Sequence, residues 1–190
     1  VAVPIADQVI DVVDDDIAEI EITPTTGLTA AEAGPGTSYD IRLKTQPTDD
    51  VEITFNTGTQ IQTIPSITFT TVNWNSWQTV TVDAVQDDFD EADPHVGTIV
   101  HGINTLDVVY GAMTLADQLV DIADDDTLGV VLNDLGGIDL DEASIATTDT
   151  YEVSLLSAPS APVTLTPATP DGQTTITTPP LLFDSVNWNV

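Results

Sequence analysis

Three consecutive aspartates close the stretch ADQLVDIADDD at residues 116–126, and the same device closes ADQVIDVVDDD at residues 6–16. A third acidic run, QDDFDEAD at residues 86–93, carries Asp87, Asp88, Asp90, Glu91 and Asp93. Like charges this close repel, so such runs need a local compensation, and a divalent cation supplies one. Calcium takes about six to eight oxygen ligands, and carboxylates are good donors for it. Residues leaving a strand point alternately to either side. Two members of an aspartate triplet can therefore face one ion while a second acidic loop closes the shell. Magnesium fits less well, because it keeps several waters and few carboxylates. Zinc is disfavoured by the absence of cysteine, and His95 and His101 stand alone in the sequence. His101 falls inside an alternating run, where a satisfied or exposed histidine is the expectation.

The charge of the whole chain agrees with a cation partner. Its 190 residues carry 32 acidic side chains against 2 basic ones, a formal charge of −30. With Arg42 and Lys44 as the only cations, nucleic acid and anionic membrane surfaces are excluded as partners. The acids are 25 Asp and 7 Glu. A surface made acidic only for solvation in salt would scatter both kinds, whereas here Asp14–Asp16, Asp49–Asp50, Asp87–Asp88 and Asp124–Asp126 cluster. The apolar fraction of 41% suits a packed core rather than disorder. No run of 18 apolar residues is present, so no membrane insertion is expected, and no basic segment followed by an apolar one reads as a signal peptide. Without cysteine there is no disulfide framework.

The elements that must position these acids are read from an internal repeat. Residues 6–16 match 116–126. LTAAEAG (28–34) matches IDLDEAS (138–144), aligning Glu32 with Glu142. SYDIRLKTQP (38–47) matches TYEVSLLSAP (150–159), and ITFTTVNWN (67–75) matches LLFDSVNWN (181–189). The expected frame is the last strand of a preceding module at 1–16, a complete module at 17–126 and the first part of a following module at 127–190. Within the module the period is two. Tyr39, Ile41 and Leu43 alternate with Asp40, Arg42 and Lys44, and Val51, Ile53 and Phe55 with Glu52 and Thr54. Ile20 and Ile22, Ile67 and Phe69, Val80, Val82 and Ala84, Ile99 and Ile103, and Val120 and Ile122 extend the pattern. LTAAEAG reads as one loose turn at most. About seven antiparallel strands in roughly 110 residues predict an all-β, immunoglobulin-like sandwich. Trp74 and Trp77 sit just ahead of a strand, and packing of at least one is expected over sugar stacking.

The ordered set EAG (32–34), QPTDDVEITF (46–55), NWNSWQTVTV (73–82), VQDDFDEAD (85–93) and a last strand closing in DDD resembles the Calx-beta domain, in its bacterial tandem form. That domain is a module of the regulatory region of sodium–calcium exchangers and recurs in very large bacterial surface proteins. The resemblance implies calcium ions at one end of the sandwich, and it carries the metal ligands onto Glu32, Asp87, Asp88, Glu91, Asp124, Asp125 and Asp126. Two departures stand out. Phe89 and Ala92 interrupt the acidic run, with Pro94-His95 following. The family's acid in the loop after the second strand has no clear counterpart, Asp49 or Asp50 being the nearest.

Seven carboxylates facing one another without a cation would be costly. A like-charged pair about 4 Å apart costs about 4 kcal/mol at an effective dielectric of ~20, against a domain stability of roughly 5–15 kcal/mol. The expectation is therefore a structural, calcium-binding repeat segment of a long extracellular surface protein, bacterial by its resemblance, serving as adhesin stalk, surface layer or filament. Its partners are calcium ions and neighbouring modules, with self-assembly possible. The alternatives are an acidic halophile-type sheath module without specific calcium sites and a carbohydrate-binding module using Trp74 and Trp77. A calcium sensor is disfavoured, and no catalytic constellation is present: the acids are contiguous and no nucleophile elbow occurs.

Overall fold

In the computed structural model the residues described are 9–134, 136–141, 143, 147–170 and 172–190. The opening ADQ (6–8) and Glu142, the counterpart of Glu32, lie outside them. Eight strands build the first unit: β1 (Ile20–Thr23), β2 (Leu28–Ala31), β3 (Thr37–Leu43), β4 (Val51–Asn56), β5 (Ile67–Phe69), β6 (Gln78–Val82), β7 (His95–Thr105) and β8 (Gln118–Ala123). A 3₁₀ turn at Tyr110–Ala112 precedes β8. The strands form two sheets, ordered β1-β3-β6 and β2-β8-β7-β4-β5. No helix among the described residues is long and apolar enough to cross a membrane.

The two sheets close on the residues that the alternation selects. Tyr39, Ile41, Leu43, Val80 and Val82 come from one sheet, and Val51, Ile53, Phe69, Ile99, Val120 and Ile122 from the other; all are buried in one cluster. Burying one face of each sheet in this way makes a β-sandwich. His101 is satisfied, as expected. Its Nδ1 lies 3.0 Å from the Ala116 carbonyl and its Nε2 2.9 Å from the Tyr39 hydroxyl. A carbonyl only accepts, so Nδ1 carries the proton and Nε2 accepts from Tyr39. Trp74 packs against the core. Trp77 is more exposed, with the Arg42 guanidinium 4.3 Å from its ring centroid, so that ring face is not free to stack on a sugar.

Two expectations are corrected. LTAAEAG is a turn only at its end, where Gly34 N–H donates to the Ala31 carbonyl at 3.2 Å: its first four residues form β2, with Leu28 and Ala30 buried. Nor are all strands antiparallel, because β2 pairs with β8 in parallel, Leu28 with Val120 through Ala31 with Ala123. The physical reason lies just upstream. Pro24 has no N–H for a ladder and Gly27 sits at φ +78°, so β1 cannot run on. The chain crosses to the other sheet and pairs in parallel beside β8.

The remaining described strands are β9 (Val130–Asn133), β10 (Glu152–Leu155), β11 (Val163–Leu165) and β12 (Leu181–Phe183). Their registers repeat those of the first unit. Val130 faces Leu155 as Ile20 faces Leu43, and Val163 faces Phe183 as Val51 faces Phe69. The connecting turn also recurs. Leu43 N–H donates to the Trp74 carbonyl at 2.8 Å and Leu155 N–H to that of Trp188 at 2.7 Å. Asn73 and Asn187 each accept from the backbone three residues earlier.

Candidate metal centre

Parallel pairing brings the acids together. β2 and β8 both finish at the same end of the sheet, so the next residues, Glu32 and Asp124, emerge side by side. Glu32 N–H donates to the Ala123 carbonyl at 3.1 Å. An antiparallel pair would have sent them to opposite ends. β7 runs against β8 and begins at this end, His95 facing Ile122, so the acidic loop that leads into β7 arrives there as well.

Among the described residues two groups of ligand atoms result, each with its members within 4.8 Å of one another: Glu32 with Asp124, Asp125 and Asp126, and Glu32 with Glu91 and His95. Glu32 belongs to both. Its side chain is 0% exposed, and neither carboxylate oxygen has a hydrogen-bond partner. Burial pushes its pKa up; the Asp87 backbone pulls it down, the Asp87 and Asp124 charges push it up and His95 pulls it down. Asp126 is also raised, first by burial and then by Asp125, Asp124, Asp88 and Asp87. Its Oδ2 is buried without a partner. The backbone shapes the triplet: Asp124 Oδ1 accepts from Asp126 N–H at 3.0 Å and Oδ2 from Glu91 N–H at 2.6 Å. Asp14 accepts from Asp16 N–H in the same way at 3.1 Å.

The structure thus gathers Glu32, Glu91, Asp124, Asp125 and Asp126. Asp87 and Asp88 act on Asp126 through their charge, but neither belongs to the two ligand groups. Asp87 Oδ1 accepts from Phe89 N–H at 2.9 Å. The Asp88 carbonyl accepts from Ala158 N–H at 2.6 Å, and Phe89 bridges to Ala158. Asp49 and Asp50 are not near. They precede Val51, which pairs with Thr105 at the far end of β7. At about 3.4 Å per residue, the 11 residues of β7 place that end roughly 34 Å away.

Two contributors were not expected. His95 does not stand alone: its ring, 11% exposed, holds Nε2 3.2 Å from Glu91 Oε2 and 3.7 Å from Glu32 Oε1. The spacing of four residues from Glu91 is its only sequence signal. Gln60 reaches the site from the loop after β4, its Nε2 donating to Glu91 Oε1 at 2.8 Å. A neutral residue between turn signals gives no sequence signal of this kind.

No family model matches the chain, and no curated protein matches it. Among solved structures, one described as the crystal structure of the apo form of the Calx CBD1 domain is similar to it. That similarity covers 58% of this chain and 100% of the other, at 17% identity and a TM-score of 0.42.

Proposed function

We propose that this chain binds calcium where β2 and β8 end, through Glu32, Asp87, Asp88, Glu91, Asp124, Asp125 and Asp126, and that the ion is structural. The observation that carries this is Glu32, a fully buried carboxylate with two unpartnered oxygens beside an aspartate triplet. A buried charge without a partner is expensive, and both cationic side chains of the chain are engaged elsewhere. Arg42 pairs with Glu21 at 2.8 Å and Lys44 with Glu19 at 2.7 Å, at the β1–β3 edge. An oxygen-seeking divalent ion is the natural complement.

The wider setting is an extension of the same proposal: tandem Calx-beta-like modules, with 1–16 ending one, 17–126 complete and 127–190 opening the next, in a calcium-stiffened extracellular surface protein. The repeated registers and turn support it. So does the joint, where Leu128 N–H donates to Asp90 Oδ1 at 3.2 Å and the Asp88–Phe89 backbone meets Ala158. An ion ordering the acidic loops would stiffen this contact too. No residue set in the chain is proposed to be catalytic.

Thermal unfolding of the full chain in EDTA and in excess calcium, at fixed ionic strength, tests the site. Calcium at about 100 times its Kd should add about 2.7 kcal/mol per ion, with magnesium giving less. Stability that follows sodium chloride and ignores calcium would overturn the site in favour of an acidic surface serving solvation.

A further inference from the structure

Taking this end of the sandwich as a cation centre, we propose that it holds a second position, Glu32–Glu91–His95, which takes a transition-type divalent ion of the zinc class rather than calcium, so that Glu91 passes from the calcium ligands to this ion when it is bound. Calcium draws oxygen donors; a neutral imidazole nitrogen suits zinc and its neighbours in the first transition row. The three ligand atoms lie within 4.8 Å of one another. Three protein ligands with a fourth position left for water is a common open zinc arrangement.

The details favour a site over an internal ion pair. His95 Nε2 is 3.2 Å from Glu91 Oε2, yet neither ring nitrogen of His95 is in a hydrogen bond and Glu91 Oε2 has no hydrogen-bond partner. An imidazolium serving as counter-ion would aim an N–H at a carboxylate oxygen; this ring does not. The other oxygen of Glu91 is held by Gln60. Such an outer hydrogen bond orients a ligating carboxylate and leaves Oε2 facing the histidine. Glu32 completes the set from its buried position. Having two free oxygens, it can bridge this ion and one held by the Asp124–Asp126 side, as carboxylates do in two-metal sites.

The chain has two histidines, so its ring resonances form two resolvable sets, and His101 is an internal control on the same strand. The experiment titrates Zn2+ into the full chain in saturating calcium, following the histidine rings by NMR and the affinity by calorimetry, for the natural chain and for His95→Gln. The expected result is one zinc equivalent that moves the His95 signals and leaves His101 in place. His95→Gln should weaken zinc binding at least about tenfold while calcium affinity stays within about threefold. Zinc that leaves the His95 signals unmoved, or binds His95→Gln as tightly, overturns the proposal. Calcium that itself moves the His95 ring and loses affinity in His95→Gln does so too, by assigning His95 to the calcium shell. Failure of the calcium centre is separate: it is read from the EDTA and calcium melts alone.

Discussion

Two carboxylates at opposite ends of β7 are both buried, and the fold treats them in opposite ways. Asp107, just past the strand's end, is 4% exposed. Its Oδ2 accepts from Thr48 N–H at 2.7 Å and from Thr48 Oγ1 at 2.8 Å. Its Oδ1 accepts from Val109 N–H at 2.8 Å and Tyr110 N–H at 3.0 Å. These donors, the Thr48 backbone foremost, hold its pKa down at about 2. Glu32, at the other end, has no hydrogen-bond partner for either carboxylate oxygen, and its pKa is raised. A charge the protein itself satisfies is part of the scaffold. A charge it buries and leaves unsatisfied is where we propose that an ion binds.

Substitution should separate the two. Asp107→Ala strips four donors of their acceptor and should cost about 4 kcal/mol, given about 1–3 kcal/mol for each buried polar group left unpaired. The loss should be equal in EDTA and in calcium, since Asp107 lies far from the proposed ion site; a calcium-dependent loss by chemical denaturation would break the comparison. Glu32→Gln should remove most of the calcium increment, about 2.7 kcal/mol for each ion no longer held at 100 times its Kd, read as the shift in melting temperature. In EDTA the same substitution should raise stability by about 1 kcal/mol, because it deletes a buried, unpaired charge. Destabilisation there would mean that Glu32 is a scaffold carboxylate like Asp107.

The acid limb sharpens the contrast further. A carboxylate whose folded pKa lies below its unfolded value contributes stability that is present above the unfolded value and lost as pH falls through the folded one. For Asp107 the window runs from about 3.8 down to about 2. The stability gap between the natural chain and Asp107→Ala should therefore be constant above pH 4 and shrink below it. Taking the difference cancels the other carboxylates. A gap that stays constant to pH 2 would mean the four donors do not favour the charged form.

Much of the framework is legible in the residues. Tyr39, Ile41 and Leu43, or Val80 and Val82, face inward because a strand has a period of two and apolar side chains gain by leaving water. The triplet at 124–126 and the loop at 87–91 are visible as charge that needs compensation. β2 is not legible, because four short residues rich in alanine carry no strong strand pattern, and only the partner strand β8 makes them one. Gln60 is silent for a similar reason: it matters through Glu91, 31 positions away. Asp49 and Asp50 mislead in the reverse sense, since adjacency in charge pattern says nothing about which end of a 34 Å strand (about 3.4 Å per residue) they occupy.

The sequence by itself determined the alternation that makes two sheets, the scarcity of cations that leaves the acids uncompensated, and the repeated aspartate turn. These rest on interactions between residues close in the chain. The tertiary structure alone decided that Glu32, Glu91, His95 and Asp124–Asp126 share one end. That outcome depends on β2 joining β8 in parallel and β7 running against it. Strand direction in a sheet is set by long-range pairing and by where the chain crosses between layers, and no local pattern encodes it.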